Sequence, residues 1–364
     1  MKGLQMINEE TSVAVHPCEF LKDSLELCGM TQKDLAKRTG LTEKTITAIM
    51  RGKDRISPES ALKLEKVLDI PASFLIQAQS RYDEYQKRLE EEKMLEKEQA
   101  KIFKEKKLLS VYNELVKRKF VELHKCMADK VREMLKFFGI ADLSLMETYY
   151  EHKYGMLWKP KYDVVESDFI AWIRCGEILL KNTPMGNYDS AKFQSAVRYA
   201  RTLASNDLED VFDKIAKSYR EAGVFLVWTP KFKASRAYGF TEWINDTPVI
   251  HLSLRGGEDE KWHALFHETK HVLQNKKNKY FANMDNREMK EDADERTAHE
   301  FAVKTLLDVN DFDIFANTGD FSRRTIMSYS RKRNVHPAVI VAQLQRNERL
   351  RRDSALNSLK KHIV

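Results

Sequence analysis

Trp262-His263-Ala264-Leu265-Phe266-His267-Glu268-Thr269-Lys270-His271-Val272-Leu273 reads as one helix with two unlike faces. Trp262, Leu265, Phe266, Thr269, Val272 and Leu273 recur at helical spacing and form a buried stripe. Asp259 and Glu260, just upstream, suit a helix N-terminus, where the backbone dipole favours negative charge. Within the helix lies His267-Glu268-Thr269-Lys270-His271, an H-E-x-x-H pattern. Positions i and i+4 stand one above the other on a helix. Two imidazoles placed so can converge on one tetrahedral zinc, and Glu268 then sits where it can take a proton from a bound water. The competing reading is a charged, solvated helix face.

Such a site needs a carboxylate from a later helix. Residues 291–302 offer several acids on a segment whose buried face is marked by Ala298, Phe301, Ala302, Thr305 and Leu306. Glu295 falls at the edge of that face and is the expected third ligand, with Glu291 the alternative. His299 is then a candidate to support a ligand from behind. His263 and His271 are about 12 Å apart along the axis, too far for ligands that lie about 2 Å from one metal. His263 therefore reads as a capping or supporting residue, and His251, in an expected strand, as structural. Zinc is the metal that these ligand types favour.

Working outward, Gly223–Trp228 and Pro248–Leu254 read as strands, ended by Thr229-Pro230 and Gly256-Gly257. An exposed strand edge beside a metal helix can hold a peptide extended. Residues 108–220 read as mostly helical, for example Asp168–Leu180 and Ser190–Ala204. Residues 81–107 lack Gly and Pro and alternate charge, which describes an exposed helical spacer.

The N-terminal 80 residues form a different unit. Thr31 caps a helix that Gly40 stops, and Thr42 caps a second that ends at Gly52. Leu35, Ala36, Ile46 and Ile49 are the positions that must pack, with Ala36 small because the helices cross there. Two further helices follow, Ser57–Leu68 and Ala72–Gln79. This is a helix-turn-helix arrangement, whose second helix enters the major groove of DNA. Its candidate contacts are Thr42, Lys44 and Thr45 at the start of the second helix, Gln32 and Lys33 on the first, and Arg51 and Lys53 beyond. From Lys33 to Arg55 there are seven basic and three acidic residues, so positive charge is concentrated where phosphates would lie.

The fold class expected is mainly α with a small β component: a helix-turn-helix bundle, a helical spacer, and a C-terminal α+β zincin-like domain. The expected divisions are 1–80, 81–107, 108–220 and 221–364. The 364 residues carry a net charge of +7. No run approaches a membrane span, and Met1–Val13 lacks the apolar core of a signal peptide. Cys18, Cys28, Cys126 and Cys175 are scattered with no C-x-x-C pair, which argues against a zinc ribbon and a disulfide framework. A cytoplasmic protein is expected. From Arg323 to Lys361 eleven Lys or Arg face only Glu348 and Asp353. That region either binds nucleic acid or an acidic partner, or simply solubilises a helix end.

Two resemblances follow from these residues. Through His16-Pro17, Leu21, the helix-turn-helix, Arg51-Gly52-Lys53, Ile56-Ser57-Pro58, Ala61-Leu62 and Tyr82, residues 15–85 resemble the HigA-type antitoxin branch of the Xre DNA-binding family. Residues 220–345 are similar to the ImmA/IrrE metallopeptidase-like family. The matching pieces are Ala222-Gly223-Val224, Gly239-Phe240-Thr241, Pro248-Val249-Ile250, Leu265–Glu268 with His271, Glu295, Ala298, Phe301-Ala302, Leu306-Leu307, His336-Pro337 and Leu344-Gln345. Together they imply a cytoplasmic regulator that binds operator DNA as a homodimer, sometimes beside a cognate toxin, and carries a zinc site of His267, His271 and Glu295 with Glu268 as the catalytic base. The chain departs from the pattern where Thr269-Lys270 replaces Leu-Gly, where His299 replaces Asn or Asp, and where Asp308 follows Leu307. Three functions stay open: an antitoxin-like transcriptional regulator; a zinc endopeptidase cleaving a partner protein, localised by its DNA-binding part; and a non-catalytic metal domain that binds a toxin or senses metal.

Overall fold

The computed structural model describes residues 14–154, 166–229, 232, 237–253, 255–277, 281–284 and 293–360. The chain divides into two compact units, residues 1–100 and 101–364.

In the first unit, α1 (Pro17–Leu27), α2 (Gln32–Thr39), α3 (Glu43–Met50), α4 (Pro58–Leu68) and α5 (Ala72–Met94) follow in order, then a π-helical turn at Leu95–Gln99. Local chemistry sets the boundaries. Thr31 accepts a hydrogen bond from Asp34 N–H and Thr42 one from Thr45 N–H, satisfying donors that a helix start leaves free. Gly40 ends α2 in the left-handed conformation, φ 68°, which a side chain would disfavour. Leu35, Ala36, Ile46, Ile49, Leu64 and Leu75 build one core, and Ala36 is buried there as the close crossing requires.

The helices that follow are α6 (Ala100–Glu105), α7 (Leu108–Lys117), α8 (Met127–Phe138), α9 (Leu145–Tyr154), α10 (Glu166–Lys181), α11 (Ser190–Thr202) and α12 (Leu208–Glu221). Next come β1 (Phe225–Trp228), β2 (Ala237–Ile244), β3 (Thr247–Leu252), α13 (Glu258–Gln274), β4 (Phe281–Met284), α14 (Ala293–Leu306), α15 (Val309–Asn317), α16 (Arg323–Arg333) and α17 (Pro337–Arg346), then a 3-10 turn at Ala355–Lys360. The class is the expected one, mainly helical with a small sheet.

The sheet runs β1-β3-β2-β4, with β1 parallel to β3 and β2 antiparallel to both β3 and β4. The strand read at Pro248–Leu254 is therefore internal, and the edges among the described residues are β1 and β4. Strand β2 was not read from the sequence. It joins β3 through Asn245 and Asp246, both at positive φ (47° and 65°), the pair of conformations a two-residue hairpin needs.

Each face of the sheet has its own cover. Ile250 and Leu252 face α12 and α13, in one core with Ile215, Trp262, Leu265, Phe266, Ala302 and Ile340. On the other face His251 is fully buried against Trp172 of α10 and Phe240, with Nε2 3.0 Å from Glu242 Oε1. Helix α13 begins where Glu260 accepts from Gly257 N–H at 3.0 Å. At the far end of α14, Arg201 of α11 donates to four carbonyls: Thr305 and Leu306 at the end of α14, and Arg333 and Asn334 at the end of α16. These are the carbonyls that helix ends leave free.

Candidate metal centre and nucleic-acid interface

His267 and His271 project from one face of α13 and Glu295 from the first turn of α14. All three are buried, and their candidate ligand atoms lie within 4.8 Å of one another. His267 Nε2 is 3.0 Å from Glu295 Oε2 and 3.1 Å from His271 Nε2, which is 3.4 Å from Glu295 Oε1. A tetrahedral zinc with bonds of about 2.0–2.1 Å keeps its ligand atoms about 3.3 Å apart. These separations, taken to the two oxygens of Glu295, lie near that length.

The protonation pattern fits a cation as well. His271 Nδ1 lies 3.0 Å from Gln274 Oε1, and Gln274 Nε2 donates to Asp294 O at 3.3 Å. The second bond fixes which end of the amide is oxygen, so Nδ1–H of His271 donates and Nε2 presents its lone pair. That lone pair faces His267 Nε2 and a carboxylate. Without a metal only a shared proton holds these three acceptors together. A zinc ion satisfies all three, so the residues fit the group. Burial would raise Glu295, but with protons standing where the cation would be, the hydrogen bonds and charge of His267 and His271 hold it down at about 2. Burial lowers His267, which Glu295 opposes.

Glu268 reaches β2 and is fully buried. Thr241 Oγ1 donates to its Oε2 at 2.6 Å, while Oε1 has no partner among the described residues. Gly239 makes room for it: a Cβ there would lie 2.5 Å from Glu268 Cγ and 2.7 Å from Oε1. Burial pushes the Glu268 carboxyl well above the usual carboxylate range, Thr241 opposes this, and the charge of Glu295 adds to it. A carboxyl held so has a raised affinity for a proton.

Gly239, Thr241 and Gln274 were not singled out as functional from sequence. The available signal was a glycine inside a strand, which marks a close backbone approach. His263 and His299 pair with each other, Nε2 to Nδ1 at 3.0 Å, one turn from His267. Glu291 lies outside the described residues. The departures at Thr269 and Lys270 are accommodated. Thr269 Oγ1 is 2.9 Å from the Tyr219 hydroxyl, and Lys270 Nζ lies 5.5 Å from the centroid of the Phe301 ring.

In the first unit Gln32 and Lys33 open α2, Thr42, Lys44 and Thr45 open α3, and Arg51 and Lys53 follow α3. All are exposed except Thr45, which is half-buried. The Thr42 hydroxyl is engaged with Thr45, receiving its N–H at 3.0 Å and lying 2.9 Å from its Oγ1. Thr42 is thus a cap first. Arg55 pairs with Asp83.

Residues 21–75 match a helix-turn-helix family. An addiction module antidote protein of a HigA family from Coxiella burnetii is similar, with 31% identity over 24% of this chain and 96% of that one, at a TM-score of 0.22. No curated protein matches the chain. No helix among the described residues is long and apolar enough to cross a membrane. The N-terminal unit carries a helix-turn-helix domain.

Proposed function

We propose that this helix-turn-helix domain makes the chain a sequence-specific DNA-binding transcriptional regulator of the antitoxin type, with a zinc-binding domain attached. The observation that carries the reading is the α2-turn-α3 unit within the matched segment, its α3 N-terminus presenting Lys44 beside a Thr42 cap. The antitoxin assignment draws on the resemblance of residues 15–85 to HigA-type proteins, and makes operator DNA and a cognate toxin the expected partners of a cytoplasmic homodimer. The test is a mobility-shift titration of the purified chain with the DNA upstream of its own gene. Selective, salt-sensitive binding that Lys44→Ala weakens supports the reading. Equal affinity for that DNA and for scrambled duplex overturns it.

The geometry around Glu268 favours a second activity, zinc-dependent hydrolysis of a peptide bond. His267, His271 and Glu295 would hold the ion, which when bound supplies a polarised water and a Lewis acid. Thr241 fixes one carboxylate oxygen of Glu268, leaving Oε1 to accept a proton. Buried in its site, Glu268 has the raised proton affinity that lets it pass the proton on. Gln274 orients His271. Metal content of the full chain tests the site: about one zinc per chain, lost in His267→Ala and in Glu295→Ala. Glu268→Gln should keep the metal and lose cleavage of a partner protein. Cleavage that persists in that variant removes Glu268 as the base, and no cleavage by the unaltered chain leaves a domain that only binds metal or a toxin.

A further inference from the structure

Segment 323–360 holds ten Lys or Arg against Glu348 and Asp353, a net charge of +8 where the whole chain has +7. The remainder of the protein is thus nearly neutral, and six of the ten lie at the start of α16 or at and beyond the end of α17. Helices α16 and α17 are joined by residues 334–336 and pack together, so the end of α17 returns toward the start of α16. Hydrogen bonds gather the surrounding segments at that end. Arg349 donates to Asn317 Oδ1 at the end of α15 (3.3 Å), and Arg323 to Ser358 Oγ (3.3 Å). Gln345 holds Arg351 O at 3.0 Å, and Asn357 Nδ2 holds Arg352 O at 2.7 Å. Arg323, Arg324, Arg346, Arg349, Arg351 and Arg352 are exposed there.

Their pairing is unlike that of the chain's solvated helices. On α4 and α5 exposed basic residues pair within the helix, Lys63 with Glu59, Arg88 with Glu84 and Lys87 with Glu90. At the α16–α17 end Arg351 has Asp353 at 2.8 Å and Arg346 faces the buried Asp259 at longer range; among the described residues no carboxylate lies within 4.0 Å of the five arginines other than Arg351. Asp320, close in sequence, is occupied by Thr325 and Ser322. All six are arginine, whose planar fork matches phosphate oxygens in pairs, whereas a merely solubilising surface does as well with lysine.

We propose that this arginine surface of the second unit binds the phosphate backbone of duplex DNA without reading its sequence, as a contact separate from the helix-turn-helix. The surface brings charge but no element shaped to enter a groove, so it adds affinity and salt dependence rather than specificity.

The test uses the full chain and a fluorescent 30-base-pair duplex of random sequence, titrated by anisotropy from 50 to 200 mM salt. Each lost phosphate contact removes about 0.9 from the slope of log affinity against log salt. Arg346→Gln, Arg349→Gln and Arg352→Gln combined should lower the slope by about 2.7, which makes the affinity loss over that salt range about forty-fold smaller. The three Arg→Lys changes should keep the slope. An unchanged slope in the Gln variant overturns the proposal. A measurement on the unaltered chain guards against misfolding: the duplex should protect Arg346, Arg349 and Arg352 from phenylglyoxal, and polyglutamate should not. Protection by polyglutamate alone assigns the surface to an acidic protein and refutes the DNA assignment.

Discussion

Gly239→Ala probes the contact on which the placement of Glu268 depends. The three heavy atoms nearest an added Cβ all belong to Glu268, the first at 2.5 Å. Carbon atoms rest at about 3.5–4.0 Å, so the deficit is about 1 Å. Either β2 withdraws from α13 or Glu268 leaves its bed against Thr241. Overpacking of this kind costs about 1–3 kcal/mol, and the hydrogen bond lost with it about 1 kcal/mol. Gly239 is not at positive φ, so alanine also removes unfolded-state freedom and returns about 0.4–1 kcal/mol. The net expectation is a loss of roughly 1–3 kcal/mol, or roughly 2 to 12 °C in the melting of the second unit. The assay is a double-mutant cycle by urea unfolding of metal-free protein. In Glu268→Ala the Cγ and carboxyl are gone, and Gly239→Ala should then be neutral or slightly stabilising. An equal penalty in both backgrounds, or none in either, would refute the packing argument.

Gln274→Ala should weaken zinc binding by about 10–100-fold in a chelator competition while leaving one site per chain, because it frees the ring of His271. Thr42→Ala should lower the stability of the first unit by about 1 kcal/mol in chemical denaturation through loss of the α3 cap. Lys44→Ala should instead leave stability unchanged and reduce the salt slope of DNA binding by about 1. His336, which caps α17 and lies 3.1 Å from Asp207, is lowered by burial, against the pull of Asp207. The folded state then binds fewer protons than the unfolded state below the ordinary histidine range, so its stability contribution is present above pH about 6.5 and lost as pH falls through the folded value. The pH dependence of melting between 7 and 5.5 should flatten in His336→Asn, which keeps a capping side chain; an unchanged profile would exclude this histidine as its source.

Signals confined to neighbouring residues were legible in the sequence. Thr31, Thr42 and Ser57 start helices through bonds to the residue three positions on, Gly40 ends one by its left-handed backbone, and those ends stand where the caps place them. The i, i+4 histidines and the stripe from Trp262 to Val272 belong to one helix, and helical phase put Glu295 at the edge of a buried face. Strand β2 escaped because both its faces are covered, so Ala237–Ile244 shows no alternation. Glu242 also looks unlike a core residue until His251, on the neighbouring strand, supplies its partner. The bed of Glu268 and the pairing of His263 with His299 likewise join segments about thirty residues apart. Helical or strand period carries no information on which distant segments meet.

Arg201 touches no candidate ligand, yet it has a bearing on the metal. Its guanidinium pins the last carbonyls of α14 to those of α16. Glu295 rides on the same helix, about 16 Å away. Three turns of helix bend little, so the carboxylate cannot advance toward the histidines or retreat from them without straining that joint. The separation of the three candidate ligands is thereby held fixed, so in the proposed metal site the choice between zinc and a larger divalent ion would depend on how α14 is mounted as well as on which atoms it presents.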